Sequence, residues 1–329
     1  MEQTPQPADT PDPEPAAPQP LPPPGGHPGL WKSCLTGGLV LWVLTAAVTY
    51  YTENTTLLPT LILLGSFLVP GCFVLWAYEK HASDLGLGLI VGCFAIGGVL
   101  GVLGASVLEY YFLNPSVWLF VGVGLIEEGV KLGALIYMIR KKPHLRGLRV
   151  GMMLGASVGF GFAAVESAGY AFNATITLQG LDLHALLGTE VLRGLLAPFG
   201  HGLWTAIAGG VLLKFREADG RFRFTSPVIT AYLGVAALHA LWDSMHGIAI
   251  WLTCRLTGDG LQRALFSYGY VPHPTDAQQH LYTVFSNCGL LLVSLIGVGW
   301  LMMLVGRERV EQAEQAEQAG QAEQAEQGE

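Results

Sequence analysis

The chain has 329 residues, 51% of them hydrophobic and only 13% charged, with a formal net charge of −8. Soluble domains carry about 25% charged residues, so this composition excludes a single soluble core and calls for lipid to cover much of the surface. The negative charge sits in two tails, residues 1–28 and 306–329, and the stretch between them is close to neutral; neither an acidic docking surface nor a nucleic-acid partner is expected.

Residues 1–28 hold 11 of the 19 prolines and no Lys or Arg. Such a segment predicts a disordered, Pro-rich cytoplasmic tail, and without a basic start it is not a signal peptide. Eight apolar stretches follow, near 30–50, 57–78, 85–112, 116–139, 150–172, 188–213, 226–254 and 282–305. Each is long enough to cross a bilayer core, which takes about 20 residues. The expected fold is therefore all-α, a polytopic membrane bundle of about eight transmembrane helices occupying residues 29–306. The glycines of the third stretch read as helix-packing faces, and the glycine-rich fifth stretch reads as a candidate gate. The five cysteines form no C-x-x-C pair and read as small hydrophobes, with a Cys254–Cys288 bridge as the alternative. From 307 to 329 an acidic Ala-Glu-Gln repeat predicts a solvated helix without an apolar stripe.

Charge orients the chain. Five bases lie in Arg140–Arg149, four in Lys214–Arg223, and Arg307 and Arg309 follow the last stretch, whereas 51–56, 113–115 and 173–187 hold none. By the positive-inside rule both termini are cytoplasmic, in a multi-pass protein of the cell membrane.

Ionisable residues inside such spans cost about 3 kcal/mol each on insertion scales and ask for a reason. Glu127, Glu128 and Lys131 lie in the fourth span, Glu166 in the fifth, His201 in the sixth, and His239 with Asp243 in the seventh. Counted from the outer ends at 1.5 Å per residue, these groups share a layer roughly 10–20 Å deep, as one common site requires. Lys131 is spaced to partner either carboxylate, at i,i+4 from Glu127 and i,i+3 from Glu128. Asp243, one turn after His239, fixes the ring's tautomer or joins it in facing a metal. Glu190 and Arg193 read as a surface pair, and His246 as interfacial.

The set E-E-x-x-K (Glu127, Glu128, Lys131), F-x-x-x-E (Phe162, Glu166), a lone intramembrane His201 and H-x-x-x-D (His239, Asp243) resembles PrsW-type intramembrane proteases, in order and each on its own span. The related CAAX-processing membrane proteases carry E-E-x-x-x-R and F-x-x-x-H instead. The resemblance implies hydrolysis of a peptide bond in a membrane-anchored protein, site-1-type cleavage of a regulatory substrate such as an anti-sigma factor. It also implies that Glu128 or Glu127 acts as base. His201 and His239, with Glu166 as a third, become ligands of one divalent ion, zinc by preference, or oxyanion donors if there is no metal. A proton-coupled transporter or a non-catalytic membrane scaffold are the alternatives. The first is disfavoured because no inverted repeat or matched pair of broken helices stands in the sequence.

Overall fold

A bilayer satisfies no backbone polar group, so apolar segments of this length form helices whose hydrogen bonds close internally. The computed structural model describes residues 29–81, 85–178 and 180–327; the proline-rich tail expected at 1–28 lies outside them. The first two crossings are α1 (Leu30–Thr52) and α2 (Leu58–His81), and the third is α3 (Leu87–Ile96) with α4 (Val102–Phe112), joined by a π-helical turn at Gly97–Gly101. Next come α5 (Leu119–Ile139) and α6 (Leu148–Thr175), then a two-stranded ribbon pairing Ile176 with Leu181. The sixth crossing is α7 (Leu183–Leu196) and α8 (His201–Lys214), separated by a 3-10 turn, Ala197–Phe199, where Pro198 denies the helix a donor. The chain ends with α9 (Ser226–Thr257), the short α10 (Gly260–Ser267) and α11 (Asp276–Gln327).

Seven of these crossings are long and apolar enough to span a membrane on length and composition. α5 misses that criterion because it carries Glu127, Glu128 and Lys131, yet its 21 residues rise about 31 Å, a full bilayer core. The polytopic helical bundle read from sequence is the observed architecture; among the described residues seven helices qualify as spans, and α5, the eighth expected, is the one that holds the charges.

α6 is the axis of the bundle, with buried residues along nearly its whole length. Gly151, Gly155 and Gly159, four residues apart, face α8 so closely that a Cβ on them would strike the backbone carbonyls of Gly209, Thr205 and His201 in turn. Small residues at this spacing let two backbones meet without lipid between them. Gly159, in the stretch that reads as a candidate gate in sequence, is a seam residue packed directly on the α8 backbone. On the other side, Gly97 and Gly161 admit the third crossing in the same way.

At the opposite end from the ribbon, Arg216 donates to the carbonyls of Ile139, Lys142, Leu145 and Gly220, satisfying acceptors at the end of α5 and in the turn after it. α11 continues unbroken past the last apolar residue, and Lys214 meets its Glu308 at 2.8 Å. All five cysteines are free, and Cys34 and Cys288 are exposed rather than buried.

Candidate active site

The Ala197–Phe199 break sets the first histidine. It makes His201 the first residue of α8, and the glycine seam holds that helix end against α6. The positive end of the α8 dipole thus points at the ring's surroundings, favouring anionic partners there.

α5 supplies the charges. Glu127 and Glu128 are 6% and 0% exposed, and Lys131 is wholly buried. Lys131 Nζ donates to Glu127 Oε2 at 3.0 Å and to Glu128 Oε1 at 2.8 Å, so the partnership expected with either carboxylate is made with both. His201 Nδ1 lies 2.8 Å from the same nitrogen, and the Phe162 ring centroid 3.9 Å away supplies a cation–π face. A buried ammonium needs this many partners, since an unpaired one is strongly destabilising.

α9 brings His239 against the other side of the pair. Its Nδ1 is 3.0 Å from Glu128 Oε1; its Nε2 is 3.3 Å from Asp243 Oδ2 and 3.6 Å from Glu127 Oε2. Trp204 stacks on the imidazole with ring centroids 4.9 Å apart, and the His201 and His239 rings are also 4.9 Å apart. Thr205 hydroxyl reaches Glu128 Oε2 at 3.4 Å. Carboxylates and imidazoles from α5, α6, α8 and α9 thus share one cluster.

Glu166 occupies a different place from the one read in sequence. It accepts at Oε2 from His201 Nε2, 3.0 Å away, and from Arg193. The donors that converge within 4.8 Å of one another are instead Glu127, His201 and His239. Glu166 stands behind His201, as a carboxylate that orients a ligand ring stands behind it in many metal sites. One carboxylate and two imidazoles are a donor set that catalytic zinc accepts, leaving a fourth position open, so these residues fit a divalent ion.

A cavity of 520 Å³ reaches the cluster from the bundle end that carries the ribbon. Its walls include Glu127, Glu166, His201 and Asp243, but neither Glu128 nor Lys131. Of the adjacent glutamates, then, only Glu127 faces open space, and among the described residues no hydrogen bond engages its Oε1.

Three residues in or near the cavity wall read differently, or not at all, in sequence. Arg193 is no partner of Glu190: it pairs with Glu166, donates to Ser167 Oγ at 2.7 Å and covers the Tyr170 ring. Glu190 is itself buried and accepts from Trp42 Nε1 at 2.6 Å. Glu109, at the end of α4, lines the cavity with Oε1 shut off from solvent and without a partner among the described residues. A lone arginine inside an apolar span was the available signal for Arg193. His246 is at the cavity wall, bonded to Tyr282 at 2.9 Å and Ser286 at 3.1 Å.

Comparison with known proteins gives a concordant result. Residues 85–268, from α3 through α10, match the model of the PrsW family of intramembrane metalloproteases. The chain is 26% identical over 179 residues to Protease PrsW of Halalkalibacterium halodurans, covering 53% of this chain and 76% of that protein. It is 24% identical over 182 residues to Protease PrsW of Clostridioides difficile, covering 53% and 73%. No solved structure matches.

Proposed function

The chain belongs to the PrsW family of intramembrane metalloproteases and is a multi-pass membrane peptidase, and from that premise we propose that Glu127 activates the water that cleaves its substrate. The observation that carries this reading is the geometry of Glu127: its side chain lines the cavity, Oε2 is bound to Lys131, and Oε1 has no hydrogen bond among the described residues. Its free Oε1 takes a proton from water as the oxygen attacks the peptide carbonyl carbon. The carbonyl becomes a tetrahedral oxyanion, met by positive potential from Lys131 and the start of α8. The proton then passes to the leaving nitrogen as the C–N bond breaks, giving a carboxyl and an amine.

Glu128 is the anchor, holding Lys131 and His239 in register from a dry position. Asp243 and Glu166 orient His239 and His201. Glu127, His201 and His239 are the residues that would hold a divalent ion, zinc by preference; such an ion would supply Lewis-acid polarisation of the carbonyl in place of the Lys131 charge.

The substrate we propose is a membrane-anchored regulatory protein, such as an anti-sigma factor, cut near the outer boundary of its span. Charge alternation favours cytoplasmic termini, which turns the cavity mouth outward. The tails, 1–28 and 307–329, have no part in the chemistry on this reading. The test offers single-span membrane proteins to the purified parent and to Glu127→Gln. Cleavage by the parent alone is expected; equal cleavage by both removes Glu127 from the mechanism.

A further inference from the structure

Lys131 occupies the position of a cation within the donor set. Its Nζ has three N–H bonds and three acceptors around it: Glu127 Oε2 at 3.0 Å, Glu128 Oε1 at 2.8 Å and His201 Nδ1 at 2.8 Å. Two of these belong to the trio that would hold a metal, and the third trio member, His239, shares Glu128 Oε1 with the ammonium. The side chain is 0% exposed and lies against Phe162, so the charge has no path to solvent without a change of rotamer.

A zinc-like ion needs its donors at about 2.0–2.2 Å. The space enclosed by Glu127, His201 and His239 is therefore small, and the ammonium is held by two of the same side chains. Two positive charges packed this closely in a buried site repel strongly. The lysine and the metal then compete for one seat.

We propose that the Lys131 ammonium is a built-in competitor for the divalent ion: the cluster holds one or the other, and metal enters only when Lys131 swings away from Glu127 and His201. The inference rests on the metal reading given above. It has a direct consequence for the native chain, which binds metal weakly and loses it readily. It also gives Lys131 a role beyond holding the carboxylates in register, since its rotamer sets metal occupancy.

The test uses the full chain in detergent micelles with Co²⁺ alone as the probe, read by the visible absorption of the bound ion. Lys131→Met is compared with the parent, and with a Lys131→Met/His201→Ala double variant that locates the binding. Lys131→Gln keeps an amide beside both carboxylates and replaces the methionine variant if that fails to fold. Removing one like charge within about 4 Å in a buried site should tighten Co²⁺ binding on the order of 100- to 1000-fold, and the histidine change should abolish it. A second readout is thermal: Zn²⁺ should raise the unfolding midpoint of the Lys131 variants far more than that of the parent. If parent and neutral variants bind Co²⁺ equally, or the variants bind it more weakly, competition is overturned while the metal site stands. If none shows a Co²⁺ signal dependent on His201, the metal reading itself is wrong, and the competition falls with it.

Discussion

Gly159→Ala adds one methyl group and should damage both stability and the site. A Cβ built at Gly159 falls on the carbonyl oxygen of His201 and also lies 2.8 Å from Thr205 Oγ1. The first of these is backbone, so no side-chain rotation relieves the overlap, and α8 must move off α6. Overpacking of a tight core costs about 1–3 kcal/mol, against which the helix propensity of alanine returns at most about 1 kcal/mol. Because His201 is the residue displaced and Thr205 touches Glu128, the shift propagates into the cluster. The matched control is Gly169→Ala on the same helix, where a Cβ meets nothing within 4 Å. Thermal unfolding in detergent should place Gly159→Ala well below the parent and Gly169→Ala at or above it. Cleavage should fall by at least an order of magnitude in the first variant and hold in the second, since catalytic geometry tolerates displacements well under 1 Å. Equal behaviour of the two variants would refute the seam.

The adjacent glutamates should separate cleanly. Glu127→Gln should lose cleavage with a small change in stability, whereas Glu128→Ala should also cost about 3–5 kcal/mol, because it strips a partner from a buried ammonium; unfolding midpoints and substrate cleavage measured together check this. Arg193→Ala should reduce cleavage about 10- to 100-fold by freeing Glu166 behind His201, with partial recovery in Arg193→Lys. Trp42→Phe should cost about 1–3 kcal/mol, by leaving the Glu190 carboxyl buried without its donor, and should leave cleavage at the parental level once corrected for folded protein.

The bundle was legible because lipid imposes a length rule that apolar stretches obey, and because ionisable groups within them stand out. Glu127, Glu128, Lys131, Glu166, His201, His239 and Asp243 could all be named on that ground, and the structure brings them into one cluster. Spacing along a helix did not reveal rotation about its axis, so it left Glu127 and Glu128 equivalent; only packing against α8 and α9 shows which one meets the cavity. The same limit produced the Glu190–Arg193 error. Their i,i+3 spacing suggested a pair, but one side chain turns to α1 and the other to α6, choices set by neighbours distant in sequence. The glycines of α6 read as a candidate gate in sequence, and only the backbone of α8 packed against them shows the seam. Glu166 was assigned to a metal by residue type, whereas its position behind His201 depends on which ring nitrogen faces α6.

The most direct measurement is cleavage of a single-span substrate in proteoliposomes prepared in H₂¹⁸O, with the products analysed by mass spectrometry. One ¹⁸O in the newly formed carboxyl, at a bond within or just outside the substrate's span, and no product from Glu127→Gln, is the expected result. Cleavage confined to a loop far from the bilayer, or an identical product from Glu127→Gln, contradicts a hydrolytic centre built from these helices.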